Sequence, residues 1–430
     1  MTIFQGNIFY CSELTQYHQI ENGYLIVDDN GLIEDIGPVL PKKYAQYPVE
    51  RLGNQILLPA FCDIHLHSSQ FVNTGLGYDI LFEDWMRIYT YPAEQRYQEL
   101  DKAEEINRRL IRELWKYGTM NAVIMGSTDA PSTWNLMKLY NQTGMSACIG
   151  KMNADVAGFG NQAEDTAKSI LETISLIEQA EKLRNITYCI SPEFIPNCSD
   201  ELMERLGDLA VRYGLPVQSH ISESEGDVRM VRERYGKTPY AKVYQGYRLF
   251  GQTPTVMAHG IYLTKQERVL MKRKQVTLAH CPVAISNIPS GKTIPLRRFL
   301  EEGVNVGLGS DIGGGHTLNM MRIMESTVHY SKFQQLIDHS RPLSILEAFA
   351  LATVCAGKVF GRTGSFKAGL FFDGLVIDDK ELSPASGGYS IRERVERFLY
   401  EGDYRYILKR YCRGKLVKEP FANREPEIKL

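Results

Sequence analysis

Two histidines one residue apart, His65 and His67, lie just past a short apolar run in this 430-residue sequence. Three more histidines close later apolar runs: His220, followed closely by Glu223, then His259 and His280. Asp311 follows the last such run. In an extended segment residues i and i+2 point to the same side, so His65 and His67 can grip one ion. His220 supplies a third nitrogen and Asp311 an anionic oxygen. Nitrogen and carboxylate ligands with an open position suit one divalent metal, Zn²⁺ first and Fe²⁺ as the alternative, better than Mg²⁺ or Ca²⁺. Bound zinc lowers the pKa of its water from about 15.7 to about 7, on the order of 12 kcal/mol of easier deprotonation. Water activated in this way can attack an electron-poor ring carbon at neutral pH. Losing an amine from that carbon then needs proton traffic: the ring nitrogen gains a proton and the amine leaves as ammonia. Glu223 fits as the shuttle. His259 could hold the attacking water or stabilise developing charge, and Asp311 could both ligate the metal and take the water's proton. His280 is expected at the pocket wall. One histidine after a strand is ordinarily a hydrogen-bonded core or rim residue; five of them with an aspartate are not explained that way.

These groups converge only if the apolar runs are strands that share one end. The runs cover residues 55–58, 122–125, 147–150, 186–190, 216–219, 255–258, 276–279 and 304–309. Near-continuous apolar runs mean burial on both faces, as in parallel sheets. Helical spacing fills the segments between and after them, including 103–115, 163–183, 201–212 and 345–354. Eight strand–helix units in about 300 residues predict an α/β fold, a TIM (β/α)8 barrel, with its active site at the C-terminal ends of the strands. A doubly wound open sheet is the alternative.

Both chain ends read differently. Leu25-Ile26-Val27, a turn at Asp28-Asp29-Asn30-Gly31 and then Leu32-Ile33 form a hairpin signal, and residues 375–379 and 411–417 carry similar ones. They predict a small β-sandwich-like domain formed by both chain ends. The expected division is residues 1–55 and 361–430 for the β domain and 56–360 for the metal-dependent barrel.

Composition excludes several classes. A net charge of -2 gives no footprint for nucleic acid or an anionic membrane. No run of about 18 apolar residues predicts a membrane span, and the N-terminus does not read as a signal peptide. The eight cysteines form no C-x-x-C pair, which suits a reducing cytoplasm. Gly313-Gly314-Gly315 lacks the lysine and spacing of a phosphate loop and is expected to let the backbone pass close to the metal residues.

His65-x-His67, His220-x-x-Glu223, Ala258-His259-Gly260, Ala279-His280-Cys281-Pro282 and Gly309-Ser310-Asp311 together resemble the mononuclear deaminase branch of the amidohydrolases. Residues 58–71, 85–94 and 397–403 resemble guanine deaminases more closely, and the similarity runs over essentially the whole chain. The resemblance implies that His65, His67, His220 and Asp311 bind one zinc, that Glu223 and His259 serve catalysis and that Gln70 contacts the purine. It also implies conversion of guanine to xanthine and ammonia by a homodimer. Superfamily members with two metals commonly carry a carboxylated lysine on the fourth strand; Ile190-Ser191-Pro192-Glu193-Phe194 has none, which favours a single metal. Phe71 and Phe194 could stack on a flat ring and Trp85 could line the pocket.

Three stretches depart from the family pattern. The family's Arg-Phe after the fourth strand is Glu193-Phe194 here, its Met-Asp-Arg-Asn is Met152-Asn153-Ala154-Asp155, and its Asn-Ser-Asn-like run is Val283-Ala284-Ile285. A carboxylate accepts hydrogen bonds where a guanidinium donates them. The metal set is intact while the substrate shell has changed. The expected activity is therefore ring deamination, with guanine as the first substrate and a modified purine, a pterin or a triazine-like ring as the alternative. The other class of reading is an inactive barrel kept as a binding scaffold.

Overall fold

The computed structural model of the protein describes residues 1–157, 162–288, 292–384 and 387–422. Its N-terminal strands are β1 (Thr2–Glu13), β2 (Gln16–Val27), β3 (Ile33–Gly37) and β4 (Val49–Pro59). The turn between β2 and β3 is built locally: Asp28 Oδ1 accepts from the backbone N–H groups of Asn30 at 2.9 Å and Leu32 at 2.7 Å, an Asx-type turn. Gly31 follows at φ 82°, with the carbonyl of Arg413 where a Cβ would sit.

The middle of the chain alternates strands and helices. The strands are β5 (Phe61–His67), β6 (Thr119–Met125), β7 (Ser146–Gly150), β8 (Met152–Asn153), β9 (Ile186–Tyr188), β10 (Ser191–Pro192), β11 (Val217–Ile221), β12 (Thr255–His259), β13 (Thr277–His280) and β14 (Asn305–Leu308). Two four-stranded parallel sheets result, in the orders β5-β6-β7-β9 and β11-β12-β13-β14. Ile190 pairs with Val217 where the first sheet meets the second, and the backbone N–H of Asp311, just past β14, donates to His65 O on β5. Parallel neighbours need long crossovers, and helices supply them. Leu100–Lys116, for example, leads into β6, and Asp200–Tyr213 leads into β11. Ser199 caps the second of these helices by accepting from Leu202 N at 3.0 Å, and Gly214 ends it in the left-handed region. Reciprocal capping boxes start the helices at Ser224, Thr264, Ser344 and Ser390.

Packing follows from the periodicity. Leu110, Ile111 and Leu114 of the helix before β6 are buried in one cluster with Ile124, Leu136 and Tyr140. Each such side chain stabilises the fold by about 1.5–3 kcal/mol. A second cluster takes small residues from strands of both sheets: Cys62, Ile64, Val123, Cys148, Val256, Ala258 and Ala279.

The C-terminal strands β15 (Gly374–Ile377), β16 (Ile407–Cys412) and β17 (Lys415–Leu416) return to the first part of the chain. One seven-stranded sheet forms, in the order β17-β16-β15-β4-β1-β2-β3, so both chain ends do share a β unit. One strand expectation is corrected. Residues 55–58 are not the first strand of the parallel set but the end of β4, where Leu57 pairs with Ile8 and Leu58 with Leu375. The first parallel strand is β5. A short apolar run is equally suited to either sheet, and the choice is made by partners more than 40 residues away in sequence. No helix among the described residues is long and apolar enough to cross a membrane, and the eight cysteines are free thiols.

Candidate active site

β5 is buried along its whole length. Its alternation sends His65 and His67 to one side, as their spacing requires. His67 Nε2 lies 3.0 Å from His220 Nε2 at the end of β11, and the two rings stack at 6° with centroids 5.0 Å apart. Asp311 Oδ1 is 3.4 Å from His65 Nε2 and 3.5 Å from His67 Nε2. His259, the last residue of β12, stacks on His220 at 5.4 Å. Its Nε2 is 3.4 Å from Glu223 Oε1 and 3.8 Å from Asp311 Oδ2. Six side chains expected at the strand ends are thus brought together there.

The backbone is unusual at two of them. His259 has φ 72° and Asp311 φ 48°, a region L-residues rarely adopt and one held where function needs it. The carbonyl of Asp311 accepts from Gly315 N at 2.6 Å, which fastens the turn. Inside that turn Gly313, at φ 117°, lies so close to Gln70 that a Cβ would meet the Gln70 amide oxygen at 2.6 Å. The triple glycine therefore does let the chain pass beside the site.

The donor set fits one divalent cation. Potential ligand atoms of His65, His67 and His220 lie within 4.8 Å of one another, as do those of His65, His259 and Asp311. Both His65 ring nitrogens are buried without a hydrogen-bond partner among the described residues, a costly state that a cation relieves. Burial pushes the imidazoles of His65 to about 3, His220 to about 4 and His280 to about 3, and those of His67 and His259 well below their ordinary range. Neutral imidazoles keep the lone pair that ligation requires. His220 Nδ1 is 2.6 Å from Glu193 O, which accepts its N–H and leaves Nε2 for the site. Burial, and then the charges of Asp311 and Asp227, hold the Glu223 carboxyl well above the usual range.

A pocket opens over this floor. Trp85, Met86, Phe194, Ile285 and Ile288 provide apolar walls, and Gln70 and Glu193 are its polar residues away from the histidines and their carboxylate partners. Trp85 Nε1 donates to Leu76 O at 3.0 Å, which orients the indole. Two expected substrate residues lie elsewhere. Phe71 faces Arg109 at 5.7 Å on a separate cleft, and His280 is buried and does not line this pocket. Phe71 follows Gln70 directly, but the 3-10 turn Ser69–Asn73 aims their side chains apart.

Two residues with supporting roles were not singled out in the sequence. Asp63 Oδ1 accepts from Ser310 N at 2.9 Å and from His65 N at 3.3 Å, tying β5 to the loop that carries Asp311. Its place two residues before His65 was the available signal. Glu94 is buried and accepts from Gln70 Nε2 at 3.3 Å and Ser69 Oγ at 3.4 Å; its place at the end of the family-like segment 85–94 was the available signal.

Buried histidines and an aspartate at the C-terminal ends of parallel strands define a metal-dependent hydrolase site. The chain belongs to the amidohydrolase family, whose model matches residues 56–417. Guanine deaminase of Homo sapiens is 30% identical over 444 residues, covering 98% of this chain and 97% of that protein. The Dictyostelium discoideum guanine deaminase is 28% identical over 443 residues, covering 97% and 98%. Guanine deaminase from C. acetobutylicum, solved with guanine bound in its active site, matches with a TM-score of 0.93 at 36% identity, over 97% of this chain and all of that one. The resemblance read from the sequence therefore holds over nearly the full length.

Proposed function

We propose that the chain is a hydrolytic deaminase that uses one divalent metal, zinc first, to convert guanine to xanthine and ammonia. The observation that carries the reading is the meeting of His65, His67, His220 and Asp311 beside the Glu223–His259 pair, under an apolar-walled pocket. His65, His67, His220 and Asp311 would hold the metal, which when bound supplies a water that ionises near neutral pH. Glu223 moves a proton to the ring nitrogen as the water adds, and returns one to the departing amine. His259, 3.4 Å from Glu223 and 3.8 Å from Asp311, steadies the charge that develops between them. Trp85 and Phe194 hold the ring flat, while Ile285 and Ile288 keep bulk water out. Gln70 and Glu193 address the ring's polar edge. His280 backs the site, and Phe71 has no part in this reading.

Around the site, the eight parallel strands are read as one closed (β/α)8 barrel. The Ile190–Val217 bridge and the Asp311–His65 bond support it. The chain-end sheet is read as the sandwich-like domain, supported by a core of its own that includes Phe4, Ile8, Phe366 and Phe372. Its boundary then falls after β4. Exposed Phe333, Leu336 and Ile337 on the helix Met320–Asp338 form an apolar face that a second copy of the chain would cover in a homodimer. The free thiols suit a cytoplasmic enzyme.

The test is ammonia release from guanine by the zinc-loaded chain, with xanthine identified by chromatography. A full complement of zinc with no xanthine formed would overturn the proposal.

A further inference from the structure

The pocket is poor in hydrogen-bond donors. Among the described residues no lysine or arginine lines it. Of the side-chain donors outside the histidines, Trp85 Nε1–H is spent on Leu76 O at 3.0 Å and the Gln70 amide gives one of its two N–H groups to Glu94 Oε1 at 3.3 Å. Asn197 Nδ2 donates to Glu193 Oε2 at 2.6 Å, which holds that carboxyl in place and leaves Oε1 for a ligand. Glu193 is only 3% exposed, so water does not substitute for a partner that a bound ring fails to supply. An ionised Glu193 carboxylate only accepts, so a ring carbonyl set against it would put acceptor against acceptor in a buried site. A ring amine would complete it.

We propose that Glu193 is a specificity residue that accepts a hydrogen bond from the substrate, and that the amino-ring turned over best carries a second exocyclic amine on the edge that meets it. This rests on the deaminase reading above. The reaction is unchanged: the oxygen of water bonds to the ring carbon, the C–N bond breaks, one proton of that water leaves with the amine as ammonia and the other passes to the ring nitrogen. Sites built to pair a substrate's polar group reject the analogue that lacks it by large factors. Guanine, with a carbonyl on that edge, is then the slower substrate.

2,6-Diaminopurine and guanine share the ring and the 2-amino group and differ at carbon 6, amine against carbonyl. The experiment measures kcat/KM for loss of the 2-amino group from each by the zinc-loaded full chain, with isoguanine and xanthine resolved by chromatography. It is repeated for Glu193→Gln, whose amide can turn a donor to a carbonyl, and for Glu193→Ala. The expected result is a preference of at least tenfold for 2,6-diaminopurine in the parent chain and a fall in that ratio of at least tenfold in Glu193→Gln. The ratio does not depend on how much of each variant folds. A parent chain that prefers guanine, or a ratio unchanged in both variants, overturns the inference while leaving the deaminase reading standing. Ammonia from neither ring overturns the deaminase reading, and this inference with it.

Discussion

The backbone N–H of Asp311 donates to the carbonyl of His65 at 2.9 Å, so the first and last of the parallel strands present the side chains proposed to hold the metal as one unit. Asp63 reinforces the join through Ser310 N at 2.9 Å. Asp63→Ala strips the acceptor from both buried N–H groups. Zinc affinity is expected to fall by about 10–100-fold, as for other groups that orient ligands, measured by competition with a chelator. Asp63→Asn keeps a carbonyl oxygen and should retain most of it. Equal affinity for parent and Asp63→Ala would remove Asp63 from the site.

In the proposed function Glu223 moves protons and does not hold the metal. Glu223→Gln is expected to keep the metal content of the parent while kcat falls by about 10²–10⁴-fold. Metal analysis and steady-state ammonia release on the same samples check this. A Gln variant that loses its metal would reassign Glu223 as a ligand.

Arg394 fastens the helix Ile391–Glu401 to the chain-end sheet. It meets Asp379 with two hydrogen bonds, at 2.6 and 2.9 Å, and Asn54 O at 2.6 Å. Asp379 is 1% exposed. Arg394→Met leaves that carboxylate buried and unpaired, which costs about 3–5 kcal/mol. Urea unfolding should show the loss, with KM for the substrate unchanged because the pair touches no pocket residue.

Glu302 gives a pH-dependent counterpart. Its hydrogen bonds with Arg268, 2.6 Å from Nε to Oε2, hold its carboxyl at about 2, below the usual carboxylate range. Because the folded value is the lower one, the stabilisation is fully present above the unfolded value of about 4.3 and is lost as pH falls through about 2. The stability gap between the parent and Glu302→Gln, from urea titrations, should be the same at about pH 7 and pH 6 and smaller near pH 3. A gap that widens on acidification would reverse the assignment.

How much of this was legible beforehand can be argued residue by residue. The meeting of His65, His67, His220 and Asp311 was, because His65 and His67 are related by strand alternation and because each other member ends or follows its own apolar run. Such signals are local. The helices were legible for the same reason: the helical spacing at 201–212 falls within Asp200–Tyr213. Residues 55–58 were misplaced because a buried strand carries no mark of which sheet will pair with it. Phe71 was expected in the pocket beside Gln70, and a single tight turn sends it to another cleft.

By itself the sequence determined the chemistry that is possible here: which groups can bind a cation, which can carry a proton, and that they recur at the same end of successive strands. Only the tertiary structure decided what surrounds that chemistry. It brought Glu94 against Gln70, set Asp63 across to Ser310, and placed the Glu193 carboxyl, held by Asn197, in the wall of the pocket. The physical reason is range. Alternation and capping act over a few residues, whereas a pocket wall is an agreement between side chains far apart in sequence, reached only when the core that holds them has packed.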